Sequence, residues 1–205
     1  MLKSLLTKAG LWKESFLHVS KVTPIITQED IRNNFNIVNS LLWSWDEFFP
    51  QGIENNEFNR LDVAPWVMFI SRCASVEKAY LLKVGLFDEK LIYGGEDQEL
   101  GYRLYKYGLS FAHIDRSIGY HQDHPAVKKQ VADGGKTFFT RLYEKYGVED
   151  PELTLMSVLD PIRDIRIYHN TLRILQNNGH TQEQADLITA LKSACKTSAE
   201  RYLKH

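Results

Sequence analysis

Thiols are scarce in this chain of 205 residues: Cys73 and Cys195 stand far apart and in no metal or redox motif. A disulfide framework is thereby excluded, and a reduced, cytoplasmic protein is the expectation. Excess charge of either sign is missing as well. The 25 Lys and Arg residues against 26 Asp and Glu leave a formal charge of −1, so nothing in the composition pulls the chain toward nucleic acid or anionic lipid. No apolar run approaches the roughly 18–20 residues that cross a bilayer, so no transmembrane segment is expected. Internal repeats and low-complexity tracts are also absent. The first residues, MLKSLLTKAGLWKESFLHV, lack a small-residue cleavage site and carry Glu14 and His18 within their apolar pattern. They read as an amphipathic helix and not as a signal peptide. Leu2, Leu5, Leu6, Leu11 and Trp12 are expected to pack on the domain, with docking at a membrane surface as the alternative.

What is present is an ordinary globular mixture, 43% hydrophobic and 25% charged, long enough for one domain with a real core and room for a small subdomain. Residues 2–18 have a helical pattern. In ITQEDIRNNFNIVNSLLWSWDEFF, Thr27 reads as an N-cap with Asp30 completing a capping box, and Trp43 and Trp45 read as core. A polar, turn-rich loop follows, from Phe49 to Pro65. The short apolar run WVMFIS (66–71) is read as a buried strand. SVEKAYLLKVG (75–85) is a helix with Ser75 as cap and Gly85 as stop. A further helix ends at Gly108, and LSFAHIDRSIGYH (109–121) should hold one or two strands. From about Pro125 the pattern is helical, with Gly147 and Gly179 at expected stops.

The informative stretch is LIYGGEDQELGYRLYKYG, residues 91–108. With a helix starting near Glu96, Asp97 shares a face with Leu100, Gly101 and Leu104, while Glu96, Glu99 and Arg103 fall on the neighbouring one. Because Leu100 and Leu104 must face the core, Asp97 heads a buried stripe. A carboxylate there costs several kcal/mol unless it is paired or hydrogen-bonded. The free N–H groups and positive dipole end of the helix can hold it ionised. Gly94 and Gly95 remove side chains from the approach. Gly101 costs about 1 kcal/mol against Ala in a helix and signals close packing. The plainest alternative is that Glu96 or Asp97 merely caps the helix and that Glu99 and Arg103 form an i,i+4 pair.

The surrounding order of pieces favours more. The expected strand leads to Ser75–Val76 and a helix, then to Gly85-Leu-Phe-Asp-Glu89. After a short loop come Gly94-Gly-Glu-Asp-Gln-Glu-Leu-Gly-Tyr-Arg-Leu104, the Gly108 stop, another expected strand and His121. Over residues 62–125 this resembles the acceptor half of GT-A-fold glycosyltransferases, in family 2 and the galactosyltransferase C-terminal-like module. The resemblance implies an α/β fold: a partial GT-A (Rossmann-like) mixed sheet with helices, followed by a mainly helical C-terminal region. It divides the chain into a helical connecting region (1–60), an acceptor and catalytic half (61–125) and a helical region (126–205).

The resemblance further implies an inverting transfer of a hexose-type sugar from a nucleotide-diphosphate donor to a glycan, lipid or protein acceptor. Asp97 would be the general base and Glu96 the acceptor anchor. Trp66, Tyr93, Gly94, Gly95 and Arg103 are candidate substrate contacts. His121, with Asp123 and His124 nearby, would be a ligand for Mn²⁺ or Mg²⁺. Two departures stand out: Tyr93 occupies a position where relatives commonly have Trp, and Cys73 one where many have Asn. No Asp-x-Asp occurs anywhere, and no βαβ series precedes residue 60. The chain therefore reads as a fragment or split half that works with an N-terminal donor-binding partner. A noncatalytic carbohydrate-binding or assembly protein is the rival reading, and an unfamiliar donor site the third.

Overall fold

The computed structural model describes residues 7, 8, 10, 12–14, 26–39, 62–71, 74–91, 94–114, 128–162, 165–177 and 179–204. The chain divides into two compact units, Met1–Gly52 and Ile53–His205. In the first unit, α1 (Gln28–Asn33) is followed by α2 (Asn36–Asn39). The expected capping box is present: Thr27 Oγ1 accepts from the Asp30 N–H at 3.2 Å, and the Thr27 N–H donates to Asp30 Oδ2 at 2.7 Å. The other apolar residues named at the N-terminus, Leu2, Leu5, Leu6 and Leu11, lie outside the described residues, as do Trp43 and Trp45.

The second unit is helical: a 3₁₀ turn (Pro65–Met68), α3 (Lys78–Val84), α4 (Glu96–Lys106), α5 (Lys128–Tyr146), α6 (Pro151–Thr154), α7 (Ile165–Gln176) and α8 (Gln182–Glu200). Among the described residues there is no strand, which corrects the expected mixed, Rossmann-like sheet. The run at 66–71 is buried as expected but coils. Ala64 sits in the left-handed region (φ 41°) and Pro65 takes the first helical position, so the chain enters a 3₁₀ turn closed by Val67 N–H to Ala64 O and Phe69 N–H to Trp66 O. Six apolar residues do not distinguish strand from buried helix by period alone. Residues 109–114 have no regular structure, and 115–121 lie outside the described residues. The helix expected from Ser75 begins at Lys78, with Glu77 as its cap.

Helix α4 is the pivot of this unit. Leu100 and Leu104 pack with Phe69, Val76, Tyr80, Leu81 and Val84. On its other side Tyr102 joins the large core, edge-on to Trp66 at 5.1 Å and to Tyr146 at 4.9 Å. Gly101 makes the close approach possible: a Cβ there would lie 2.7 Å from the Trp66 carbonyl oxygen and 2.8 Å from Phe69 Cβ. The helix stops where Gly108 (φ 99°) turns the chain and Leu109 N–H reaches back to Leu104 O. Helix α7 adds a stripe of Ile165, Tyr168, His169, Leu172 and Leu175, and α8 adds Ile188, Cys195 and Ala199.

Candidate active site

The acidic pair stands at the first turn of α4. Gly94 and Gly95 both have φ 84°, a left-handed conformation that non-glycine residues adopt only with strain. They swing the chain into the helix, and the first backbone bond of α4 runs from Glu99 N–H to Gly95 O. No side chain caps this end. Glu96 and Asp97 are both half-buried, and one oxygen of each, Glu96 Oε2 and Asp97 Oδ1, is buried without a hydrogen-bond partner. A buried carboxylate oxygen without a donor costs on the order of 1–3 kcal/mol or more. Two side by side, at a helix end with free N–H groups, form an arrangement that a donor-rich ligand would stabilise.

The two glycines differ in what they admit. A Cβ at Gly94 would meet nothing within 4 Å, whereas one at Gly95 would lie 2.1 Å from the Phe138 ring of α5. Open space therefore adjoins Gly94, and the room left by Gly95 is filled by the protein itself.

Behind the pair, on the opposite side of α4 from Asp97, lies a dense ionic cluster. Glu99 is fully buried. Its Oε1 accepts from Lys145 Nζ at 2.7 Å and Tyr146 Oη at 2.5 Å, and its Oε2 from Arg103 Nη2 at 2.7 Å. Arg103 Nε adds bonds at 2.9 and 3.0 Å, and its two terminal nitrogens also donate to the carbonyls of Val84 and Leu86. Lys145 reaches Asp88 Oδ2 at 3.4 Å, where Arg141 Nε also donates at 3.1 Å. Burial pushes the Glu99 carboxyl upward, but the hydrogen bonds from Arg103, Lys145 and Tyr146 outweigh it and hold its pKa below the usual range. Asp88 behaves alike: burial raises it, while the Lys90 N–H and the two cations bring it down overall.

The structure brings Glu96, Asp97, Gly94 and Gly95 together and sets Trp66 and Arg103 elsewhere. Trp66 is fully enclosed, with Nε1 donating to Glu152 Oε2 at 2.8 Å, so neither ring face is open to a sugar. Arg103 is occupied by Glu99 and the turn after α3, which is the ion-pair reading of that residue. Tyr93, Cys73, His121, Asp123 and His124 lie outside the described residues. Among the described residues no group of three or more His, Cys, Asp or Glu side chains could hold a metal ion. Nothing local in the sequence marks Lys145, Tyr146, Phe138 and Arg141, because α5 meets α4 and Asp88 from a distant part of the chain (Lys145 stands 46 residues from Glu99) and no local spacing records such a contact. Asp88 stood within the quoted Gly-Leu-Phe-Asp-Glu run, but its partners did not.

Sequence comparison bears on what this site is. Chondroitin synthase of Escherichia coli is 28% identical over 129 residues, which are 62% of this chain and 18% of that protein. Hyaluronan synthase of Pasteurella multocida is 38% identical over 93 residues, 45% of this chain and 9% of that protein. An uncharacterized glycosyltransferase of Bacillus subtilis is 41% identical over 70 residues, 34% of this chain and 18% of that protein. The resemblance to glycosyltransferases is therefore shown, and the chain spans less than a fifth of the length of these curated relatives. No family model and no solved structure matches it.

Proposed function

We propose that this chain, related by sequence to glycosyltransferases, carries the acceptor side of one that moves a hexose-type sugar from a nucleotide-diphosphate donor to a glycan, with inversion. The observation that carries the reading is the pair of unpartnered, buried oxygens at the head of α4, Glu96 Oε2 and Asp97 Oδ1. Sugar hydroxyls are donors of the kind those oxygens lack. In the reaction, an acceptor hydroxyl attacks the anomeric carbon as the bond to the nucleotide diphosphate breaks. Asp97 takes the hydroxyl proton, and Glu96 holds a neighbouring hydroxyl. A free alcohol is a poor nucleophile, and a carboxylate within hydrogen-bond reach contributes about 10²- to 10⁴-fold.

Relatives named as synthases of chondroitin and hyaluronan favour a glycan over a lipid or protein as acceptor. The short span against those relatives favours a donor-binding half supplied by other residues. A divalent cation, Mn²⁺ or Mg²⁺ with His121 as ligand, belongs to the same proposal, and no step above is routed through it. Cytoplasmic placement is likewise part of the proposal. No helix among the described residues is long and apolar enough to cross a membrane.

The test is turnover by the full protein, with any donor-binding half it requires. UDP-glucose, UDP-galactose, UDP-N-acetylglucosamine and UDP-glucuronate are each offered with Mn²⁺ and a panel of oligosaccharides. UDP release and product anomeric configuration are the readouts. Turnover with an inverted product, reduced at least 10²-fold in kcat by Asp97→Asn with the fold intact, is expected. Glycan binding without turnover of any donor would support the noncatalytic reading instead.

A further inference from the structure

Helix α4 carries its two free carboxylates at one end, and the direction they point depends on how the helix is rotated about its own axis. At about 100° per residue, Glu99 lies roughly 200° around the helix from Asp97. It is on this far side that α5 grips α4, and at two heights. At the head, the Phe138 ring fills the space beside the Gly95 Cα. One turn below, Lys145 and Tyr146 converge on Glu99 Oε1. Arg103, one further turn down, ties the same carboxylate to the turn that closes α3. On the near side Gly101 lets the helix sit directly on the Trp66 carbonyl and Phe69. A helix held this way can neither turn nor slide without breaking a buried ionic contact.

We infer that Glu99 is a positioning residue: it fixes the rotation of α4, and so the aim of the Asp97 and Glu96 carboxylates, through its bonds to Lys145, Tyr146 and Arg103. The inference rests on the catalytic reading of Asp97 and names the device that supports it. A cap or a surface ion pair would not need this construction. Glu99 is fully buried, whereas the side chains of Lys145 and Arg103 keep 29% and 12% of their exposure. The carboxylate is thus the enclosed centre, with Lys145 and Tyr146 of α5 brought to it and Arg103 linking it on to the Val84 and Leu86 carbonyls. Proximity effects are steep: a misplacement of about 1 Å can cost on the order of 10²-fold in rate.

The experiment uses the full protein with whichever UDP-sugar and acceptor support turnover in the panel above. Glu99→Gln removes the charge and one acceptor, and Tyr146→Phe removes a single hydrogen bond. Leu172→Ala, a truncation in the buried face of α7, supplies a control that lowers Tm at a residue outside both the acidic pair and the hydrogen bonds of Glu99. Asp97→Asn is run alongside. Positioning predicts that Glu99→Gln loses about 10- to 100-fold in kcat and Tyr146→Phe a smaller part of that, with acceptor KM changed less than about threefold. Leu172→Ala, a truncation of the size that costs as much stability as breaking the Glu99 cluster, should keep its kcat at a comparable fall in Tm. If Asp97→Asn is inactive while Glu99→Gln and Tyr146→Phe lose no more kcat than Leu172→Ala, the positioning role is overturned and the base assignment stands. If Asp97→Asn turns over normally, the base assignment itself fails, and the role of Glu99 falls with it.

Discussion

Glu152 is a buried carboxylate whose side chain accepts from one group, Trp66 Nε1, two residues from a second carboxylate, Asp150. Asp150 is well supplied: Tyr102 Oη and Lys106 Nζ both reach its Oδ2 at 2.8 Å, and the Glu152 N–H reaches its Oδ1 at 2.9 Å. The two consequently diverge. Burial pushes both upward, but the Lys106 and Tyr102 bonds bring Asp150 below the usual range, while Glu152 stays raised, with the Asp150 charge adding to its burial. A carboxyl whose folded pKa is raised favours folding below its ordinary value of 4.5, and loses that contribution as the pH climbs through the folded value. Glu152→Gln keeps an acceptor for the Trp66 N–H and removes the charge. It should match or exceed wild-type stability by up to about 1 kcal/mol at pH 7, with the gain shrinking toward pH 4, in urea melts at several pH values. Glu152→Ala strands the Trp66 N–H and should cost about 1–3 kcal/mol.

At the scale of elements, α4 shows what a period and a few glycines can convey and what they cannot. Its Leu100 and Leu104 face, its start at Glu96, the Glu99–Arg103 pair and the Gly108 turn were all legible, because each is fixed within one or two turns of chain. The 3₁₀ turn beneath it was not, since Val67 and Phe69 are buried by tertiary packing that either a strand or a coil could satisfy. The Ser75 cap failed for a related reason: the residues before Lys78 run on without helical bonding, and no side chain caps α3. Gly101 joins the two levels. Ala is favoured there by about 1 kcal/mol of helix propensity. Its Cβ, however, would be forced to within 2.7 Å of a backbone carbonyl that cannot step aside. Overpacking costs about 1–3 kcal/mol, so Gly101→Ala should destabilise by a net of up to ~2 kcal/mol in equilibrium unfolding. Gly94→Ala, with open space around it, should cost about 1–2 kcal/mol from its left-handed φ alone.

Across the unit Ile53–His205, the ionic cluster does what a sheet was expected to do: it ties segments distant in sequence into one body. Lys145 joins α5 to Glu99 of α4, 46 residues away, and to Asp88, 57 residues away. Lys106 joins α4 to Asp150 at the head of α6. None of these pairings could be read from the sequence, because charge spacing informs only on partners within a helix turn. The pairings also make stability depend on pH in a definite direction. Glu99, Asp88 and Asp150 all have folded pKa values below their ordinary 4.5, 3.8 and 3.8. Groups shifted that way contribute stability that is full above the ordinary value and lost as the pH falls through the lowered one. Acid unfolding should therefore set in below about pH 4, with cooperative loss of α4 packing as these carboxylates protonate together. Glu99→Gln removes one of the three from the titration. Its deficit against wild type should be greatest near pH 7, where breaking a buried pair costs on the order of 3–5 kcal/mol, and should narrow steadily below pH 4. Urea melts of both proteins at pH 7, 5 and 3.5 measure that gap. A deficit equally large at pH 3.5 would mean that the loss comes from packing around position 99 and not from its charge.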